Sequence, residues 1–335
     1  MAITLTQLRS FLAVVRTGSV TGAAEELVVT QPSVSAAVSA LSRELGVDLT
    51  ERVGRSVRPS AAGHAFATYA ADVVGLLDQG RRAAREAAEA ADKELRIAAV
   101  TTAGEHIVPR VMEAFSTNHP EITLSVDVGN RERVFARLRS HRSDVAIGGR
   151  PPSEGGVVGE PFLDNAIVII AAPGDPLTGR RSVAVEELAD RPWLLREEGS
   201  GTRAMTEEWL ATHDLRPEIL TLGSNGAIKE GARAGLGISL QSRLAAELEL
   251  DLGLLSTIPV RDALPERRWY VLRAEHGPVR PPVEAFISFL RSDEGRAAIQ
   301  RAVRTDWPMN ARGRTASRRP DPDRGGGSLR PAPTP

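Results

Sequence analysis

The chain has 335 residues, of which 41% are hydrophobic and 25% charged, with a formal net charge of -1. This is ordinary globular usage over about two domains' worth of chain, at roughly 150 residues each, so fibrous, collagen-like and wholly disordered classes are excluded. The absence of cysteine removes disulfides, thiolate metal sites and cysteine nucleophiles together. No apolar run approaches the roughly 18 residues of a membrane span, and Met1 to Ser10 lacks the blocks of a signal peptide. The chain is therefore expected to be soluble and cytoplasmic, with no membrane partner. Because the total charge is near neutral, any nucleic-acid binding must come from local charge placement.

The first elements are short and helical. In "TLTQLRSFLAVVRTG", Leu5, Leu8, Phe11, Leu12 and Val15 recur at helical spacing, with Thr4 or Thr6 as a cap and Gly18 as a stop. "SVTGAAEELVVT" follows, capped by Ser19 or Thr21, with Ala23 and Ala24 small enough for close helix approach. After Thr30, "QPSVSAAVSALSRELG" carries Pro32 in its first turn and buries Val34, Val38, Leu41 and Leu45, leaving Gln31, Ser33, Ser35 and Ser39 on or near the opposite face. Small and amide side chains at a helix N-terminus can reach base edges or phosphates. "ERVGRSVRPS" then sets Arg52, Arg55 and Arg58 around Gly54, a hairpin whose arginines suit phosphates or a minor groove. On these residues alone, a plain three-helix unit with a solvated basic loop fits as well as DNA binding, since residues 1 to 64 carry six arginines against five acids.

The whole run "LTQLRSFLAVVRTGSVTGAAEELVVTQPSVSAAVSALSRELGVDLTERVGRSVRPSAAG" resembles the winged helix-turn-helix of LysR-type transcriptional regulators, with its motifs in order. Two departures stand out: Thr50 replaces the usual aromatic after Leu49, predicting looser packing beneath the wing, and Ser42 stands where an acid is common. The resemblance implies that Thr30, Gln31, Ser33 and Ser35, with Arg52, Arg55 and Arg58, face double-stranded DNA.

Ala65 to Ala91 reads as one alanine-rich helix without proline, in which Phe66, Val73, Gly80 and Ala87, and beside them Tyr69, Leu76, Ala83 and Ala90, repeat every seven residues. Such a seam calls for a partner helix, although packing inside its own chain is the alternative. Phe66, Tyr69, Val73 and Leu76 are the candidate dimerising residues. In the family this segment is similar to the linker helix of a homodimer, with a tetramer and a contact to RNA polymerase as further family expectations.

From Glu94 onward, short apolar runs alternate with helical stretches, predicting parallel α/β sheets. The resulting fold class is α/β with an N-terminal all-α winged helix-turn-helix, a long linker helix and two effector lobes. The expected boundaries are 1–63 for DNA binding, 64–92 for the linker helix and 93–305 for the effector domain, with a disordered tail at 306–335. Within the effector domain, lobe I takes 93–161 and 267–305, and lobe II takes 162–266. The family resemblance continues here and implies the bilobal fold of periplasmic solute-binding proteins, with a ligand cleft between lobes. It reaches from about residue 3 to residue 292 and extends loosely to the branch that controls carbon fixation or sulfur and nitrogen assimilation.

Four strand-to-helix junctions carry residues suited to an anion, where helix N-H groups and the helix dipole converge. They offer Thr101 and Thr102; Asn130 and Arg131; Ser200, Gly201, Thr202 and Arg203; and Ser224 and Asn225. Each set reads equally as ordinary caps and turns. The expected effector contacts are Thr101, Thr102, Asn130, Ser200, Gly201, Thr202, Arg203 and Asn225, holding a small anionic metabolite with no cofactor and no metal. An enzyme is not expected: there is no G-x-S-x-G elbow, phosphate-loop lysine or H-E-x-x-H, and His64, His106, His119, His141, His213 and His276 lack ligand spacing. The rival reading is a solute-binding protein without a regulatory role.

Overall fold

A computed structural model describes residues 2–53, 56–88, 93–152 and 155–303. Arg55 and the segment 306–335, expected to be a tail, lie outside the described residues.

The N-terminal module is α1 (Leu5–Thr17), α2 (Val20–Leu27), α3 (Gln31–Leu45) and the hairpin β1 (Thr50–Val53) and β2 (Ser56–Pro59). Thr4 and Gln7 cap α1 reciprocally, Gly18 ends it at φ 64°, and the Ser19 hydroxyl accepts from Gly22 N to start α2. The apolar stripes meet in one core around Phe11, Val14, Val34, Leu41 and Leu49. Ser42, the departure from the family pattern, accepts a hydrogen bond from Leu49 N at 3.3 Å and so braces the chain entering the wing.

The long helix α4 (Ala61–Ala88) begins ahead of its expected start. Ser60 caps it, its hydroxyl accepting from Gly63 N at 3.0 Å and donating to Asp48 O at 2.6 Å. Gly63 permits this close entry, because a Cβ there would lie 2.0 Å from Leu49 O.

Lobe I contains β3 (Lys93–Val100), α5 (Thr101–His106), α6 (Val108–Asn118), β4 (Ile122–Gly129), α7 (Arg131–Arg139), β5 (Val145–Gly148) and β6 (Val157–Asp164). Lobe II contains β7 (Ile167–Ala171), β8 (Trp193–Leu195), α8 (Gly201–Thr212), β9 (Ile219–Thr221), α9 (Asn225–Arg233), β10 (Ser239–Ser242), α10 (Arg243–Asp251) and β11 (Ser256–Ile258). The chain then returns to lobe I with β12 (Arg268–Ala274), α11 (Pro281–Arg291) and α12 (Asp293–Val303).

The lobe I sheet runs β4-β3-β5-β12-β6; lobe II has β10-β7-β11 and the pair β8-β9. The sheets are mixed rather than wholly parallel, since β12 pairs antiparallel with both β5 and β6, and β7 pairs antiparallel with β10 and β11. The reason is the double crossing: a chain that leaves and re-enters a lobe brings back a strand of opposite direction. The first crossing follows Asp164, beyond the expected boundary at 161, and the two crossings lie side by side, with Asn165 N donating to Arg267 O at 2.9 Å. Separate apolar cores in the two lobes, around Phe115, Phe286 and Ile147 and around Trp193, Trp209 and Ile169, hold each lobe as a unit.

Candidate functional site

The module's outer face presents Gln31, Ser33 and Ser35, all exposed at the start of α3. Thr30 is the N-cap residue, but its hydroxyl lies 2.8 Å from the Ser33 hydroxyl instead of capping a backbone N-H, and it is the Thr30 carbonyl that accepts from Ser33 N and Val34 N, at 3.0 and 3.3 Å. Arg52 and Arg58 are exposed on the hairpin. Their register places Arg52 opposite Val57 and Arg58 opposite Glu51, so strand alternation sends the two arginines to opposite faces.

Along α4, the sequence expectation of one seven-residue seam needs correction at two positions. Phe66 packs into its own module, 5.8 Å from the Phe11 ring. Leu76 is half-buried against Gly277. The outward row is Tyr69, Val73 and Leu77, which are 70%, 53% and 47% exposed. The cause lies at Gly75, where the lack of a side chain lets Ser140 and His141 of lobe I approach; a Cβ there would lie 2.5 Å from Ser140 O.

Between the lobes lies a small cavity of about 30 Å³. Thr101, Thr102, Asn130, Ser200, Gly201 and Thr202 all line it, as do Arg131, Asn165, Arg196, Ser242 and Arg267. Three of the four junctions, separated in sequence, thus meet at one point. Asn130 caps α7 by accepting from Arg133 N at 3.0 Å, while its amide donates across the cleft to Glu198 O at 3.3 Å. Ser200 caps α8 by accepting from Thr202 N at 3.3 Å. Capping and cavity lining are therefore roles of the same side chains. Gly199, at φ 77°, turns the chain into α8 where a Cβ would meet Glu132 Oε2 at 2.6 Å, and its carbonyl accepts from Glu132 N.

Two expected contacts have other placements. Arg203 turns away from this cavity, donating to Glu207 Oε1 at 2.8 Å, Arg196 O at 3.2 Å and Thr221 Oγ1 at 3.3 Å. Its position just inside α8 aims it outward. Asn225, buried, braces the wall: it donates to Thr102 Oγ1 at 3.0 Å and accepts from Arg196 Nη1 at 2.5 Å. Ser224 is an exposed cap of α9.

Charge in the cavity comes from arginines. Arg196 is held by both oxygens of Glu197, at 2.7 and 2.9 Å. Arg131 instead donates to Arg150 O at 2.9 Å and lies 4.4 Å over the Phe135 ring. Arg267 reaches only Gly201 O at 3.4 Å and Met205 Sδ at 3.6 Å. Burial pushes the pKa of both below the usual arginine value, and for Arg267 the charge of Arg131 adds to the shift. Two neighbouring guanidiniums without a carboxylate partner among the described residues leave donors and positive charge that an anion could pair with. Arg196 and Arg267 are not among the expected contacts, because nothing in their spacing tells which way the side chains point.

Comparison with known proteins agrees with this geometry. Residues 5–64 match the bacterial regulatory helix-turn-helix protein, lysR family, and residues 88–294 match the LysR substrate binding domain. The chain belongs to the LysR family of transcriptional regulators. It is 33% identical over 297 residues to the HTH-type transcriptional activator CmpR of Synechocystis sp., covering 88% of this chain and 97% of that one. It is 36% identical over 300 residues to a RuBisCO operon transcriptional regulator of Allochromatium vinosum, covering 88% and 98%. The regulatory domain of CcmR from Synechocystis PCC6803, solved in complex with 2-PG, superposes with a TM-score of 0.57 at 32% identity, covering 59% of this chain and 96% of that one. The LysR-type protein described here is thus a DNA-binding regulator with an effector domain, and the relatives it resembles are regulators and not enzymes. No helix among the described residues is long and apolar enough to cross a membrane.

Proposed function

We propose that this LysR-type regulator belongs to the carbon-fixation branch and that a small anionic metabolite, bound between the lobes by Arg131, Arg196 and Arg267, sets its promoter binding. Thr101, Thr102, Ser200 and Thr202 supply hydroxyls, and the α8 N-terminus supplies amides and a favourable dipole. The observation that carries this reading is the pair Arg131 and Arg267, side by side in a polar cavity with no carboxylate partner among the described residues. Relatives that regulate RuBisCO operons, and a 2-PG complex of a similar regulatory domain, support the branch and a small effector, for which the lobes must part from the spacing that leaves about 30 Å³ between them. A homodimer joined through Tyr69 and Val73 would present two α3 helices to a roughly palindromic site, with RNA polymerase as the machinery its promoter binding acts on.

Isothermal titration of the full chain with 2-PG, beside mobility shifts on DNA upstream of its own gene, tests this. Saturable binding is expected, weakened roughly ten- to a hundredfold in Arg267→Gln at about 1.5–3 kcal/mol per lost charge-assisted hydrogen bond. Unchanged titrations in both Arg267→Gln and Arg131→Gln would remove the cleft assignment.

A further inference from the structure

A second and larger cavity, about 700 Å³, lies where the DNA-binding module, α4 and lobe I meet. One wall is apolar, formed by Leu12 and Val15 of α1, Leu27 of α2 and Ala71 and Val74 of α4. The facing wall is cationic. Among the described residues eight arginines line the cavity, against the carboxylates of Glu26 and Asp78.

The lining acids are already engaged. Glu26 is held by Arg16 through both oxygens, and Asp78 pairs with Arg9 at 3.0 Å. Behind the wall, Asp127 serves Arg133 and Arg137 at 3.0 and 3.4 Å, while Asp144 serves Arg96 and Arg82 at 3.0 and 3.5 Å. Arg139 and Arg142 have no carboxylate partner among the described residues. Arg82 keeps buried Nε and Nη2 atoms without a hydrogen-bond partner. Burial and the neighbouring charge of Arg16 both lower the Arg142 pKa, against the opposing pull of Glu26. An excess of partly desolvated cations around an open volume is an unfavourable arrangement by itself, and a bound anion relieves it.

We propose that this junction is a second binding site, distinct from the interlobe cleft, for a small organic anion with an apolar body, such as an aromatic or acyl carboxylate, sulfonate or phosphate. The volume falls in the range of small-molecule sites, roughly 300–1,000 Å³. The anionic end meets Arg142 and Arg137, and the apolar body lies along Leu12, Ala71 and Val74. An occupant touches α1 and lobe I together, so it fixes the angle between the DNA-binding module and the effector domain. Signals from two ligands would then converge on the DNA-binding module.

Fluorescence titration of the full chain with 8-anilinonaphthalene-1-sulfonate, an aromatic sulfonate, tests the site. One saturable event is expected, weakened at least tenfold by Arg142→Ala and by Ala71→Trp, which fills the apolar floor. Arg142→Lys should retain most of the affinity, Arg267→Gln in the cleft should leave it unchanged, and raised ionic strength should weaken it. Thermal melts identify any variant that fails to fold, in which case Arg139→Ala at the rim takes its place. Equal affinity in Arg142→Ala and Ala71→Trp overturns the proposal, as does an equal loss in Arg267→Gln. A third result also overturns it: Arg142→Ala flattening the salt dependence of DNA binding while dye affinity stays intact, which assigns the groove to the DNA backbone.

Discussion

At the cleft, Ser200 and Arg203 lie three residues apart and lead to different expectations. The Ser200 hydroxyl accepts from Thr202 N yet still lines the cavity, and a hydroxyl that accepts one bond retains its proton to donate to an anion. Ser200→Ala should therefore lower both the melting temperature, by an amount worth about 1 kcal/mol for a lost cap, and the affinity for 2-PG, roughly tenfold. A melt run beside calorimetry separates these; reduced stability with intact affinity would confine Ser200 to capping. Arg203→Ala should leave the titration unchanged, because its guanidinium is spent on Glu207, Arg196 O and Thr221. The junction motif "GSGTR" makes the Ser200 placement legible from sequence. It also suggests a role for Arg203 that the helix geometry denies.

Among the elements, α3 and α4 carry the residues proposed to contact DNA and a second copy of the chain. Gln31→Ala should cost about 1–3 kcal/mol on the correct operator and relax base preference, whereas Arg58→Ala should weaken all sequences alike and reduce the salt slope by about one. Quantitative mobility shifts at several salt concentrations distinguish the two, and equal loss on specific and nonspecific DNA would contradict base reading by Gln31. For α4, Val73 is 53% exposed in the single chain. A charge there costs the isolated protomer little but would be buried in a helix pair, at several kcal/mol. Val73→Asp should thus leave the melt nearly unchanged while weakening the dimer in sedimentation and, with it, operator binding. An unchanged dimer would show that the exposed row from Tyr69 to Leu77 is not the seam.

Across the whole molecule, an ion cluster ties α4 to lobe I. Asp144 has a side chain with no solvent exposure and lies 3.0 Å from both Arg96 and Arg280, while Arg280 also pairs with Glu86 of α4 and donates to Glu94 O at 2.7 Å. Burial alone would raise the Asp144 pKa, but hydrogen bonds and charge from Arg96, with Arg280, hold it below the usual carboxylate value. A depressed folded-state pKa contributes stability that is complete above the ordinary value near 3.9 and lost as pH falls through the folded value. Acid titration of the melt should show this loss below about pH 4. Asp144→Asn should remove that component and destabilise by about 3–5 kcal/mol, since buried arginines lose their counter-charge. A melt of the variant within 1 °C of the parent would exclude the cluster as the tie.

Local chemistry was readable from the chain because it depends on near neighbours. Thr4, Ser19 and Gly18 as caps, the buried stripe of Val34, Val38 and Leu41, the hairpin after Leu49 and the two-lobe alternation follow from periods of 3.6 and 2 and from turn residues. So does the choice of Thr102, Asn130 and Ser200, which stand at strand-to-helix junctions that this fold brings together. Direction and partnership depended on contacts across long sequence distances. Arg267 enters the cleft because the second crossing runs beside Asn165; Arg203 leaves it because its turn of α8 faces Glu207 and Thr221. Phe66 leaves the expected seam because it packs against Phe11 of its own module, and Leu76 because α4 lies against lobe I at Gly75 and Gly277. A heptad or an arginine specifies a face or a charge. Which surface meets that face is decided only once the lobes have packed.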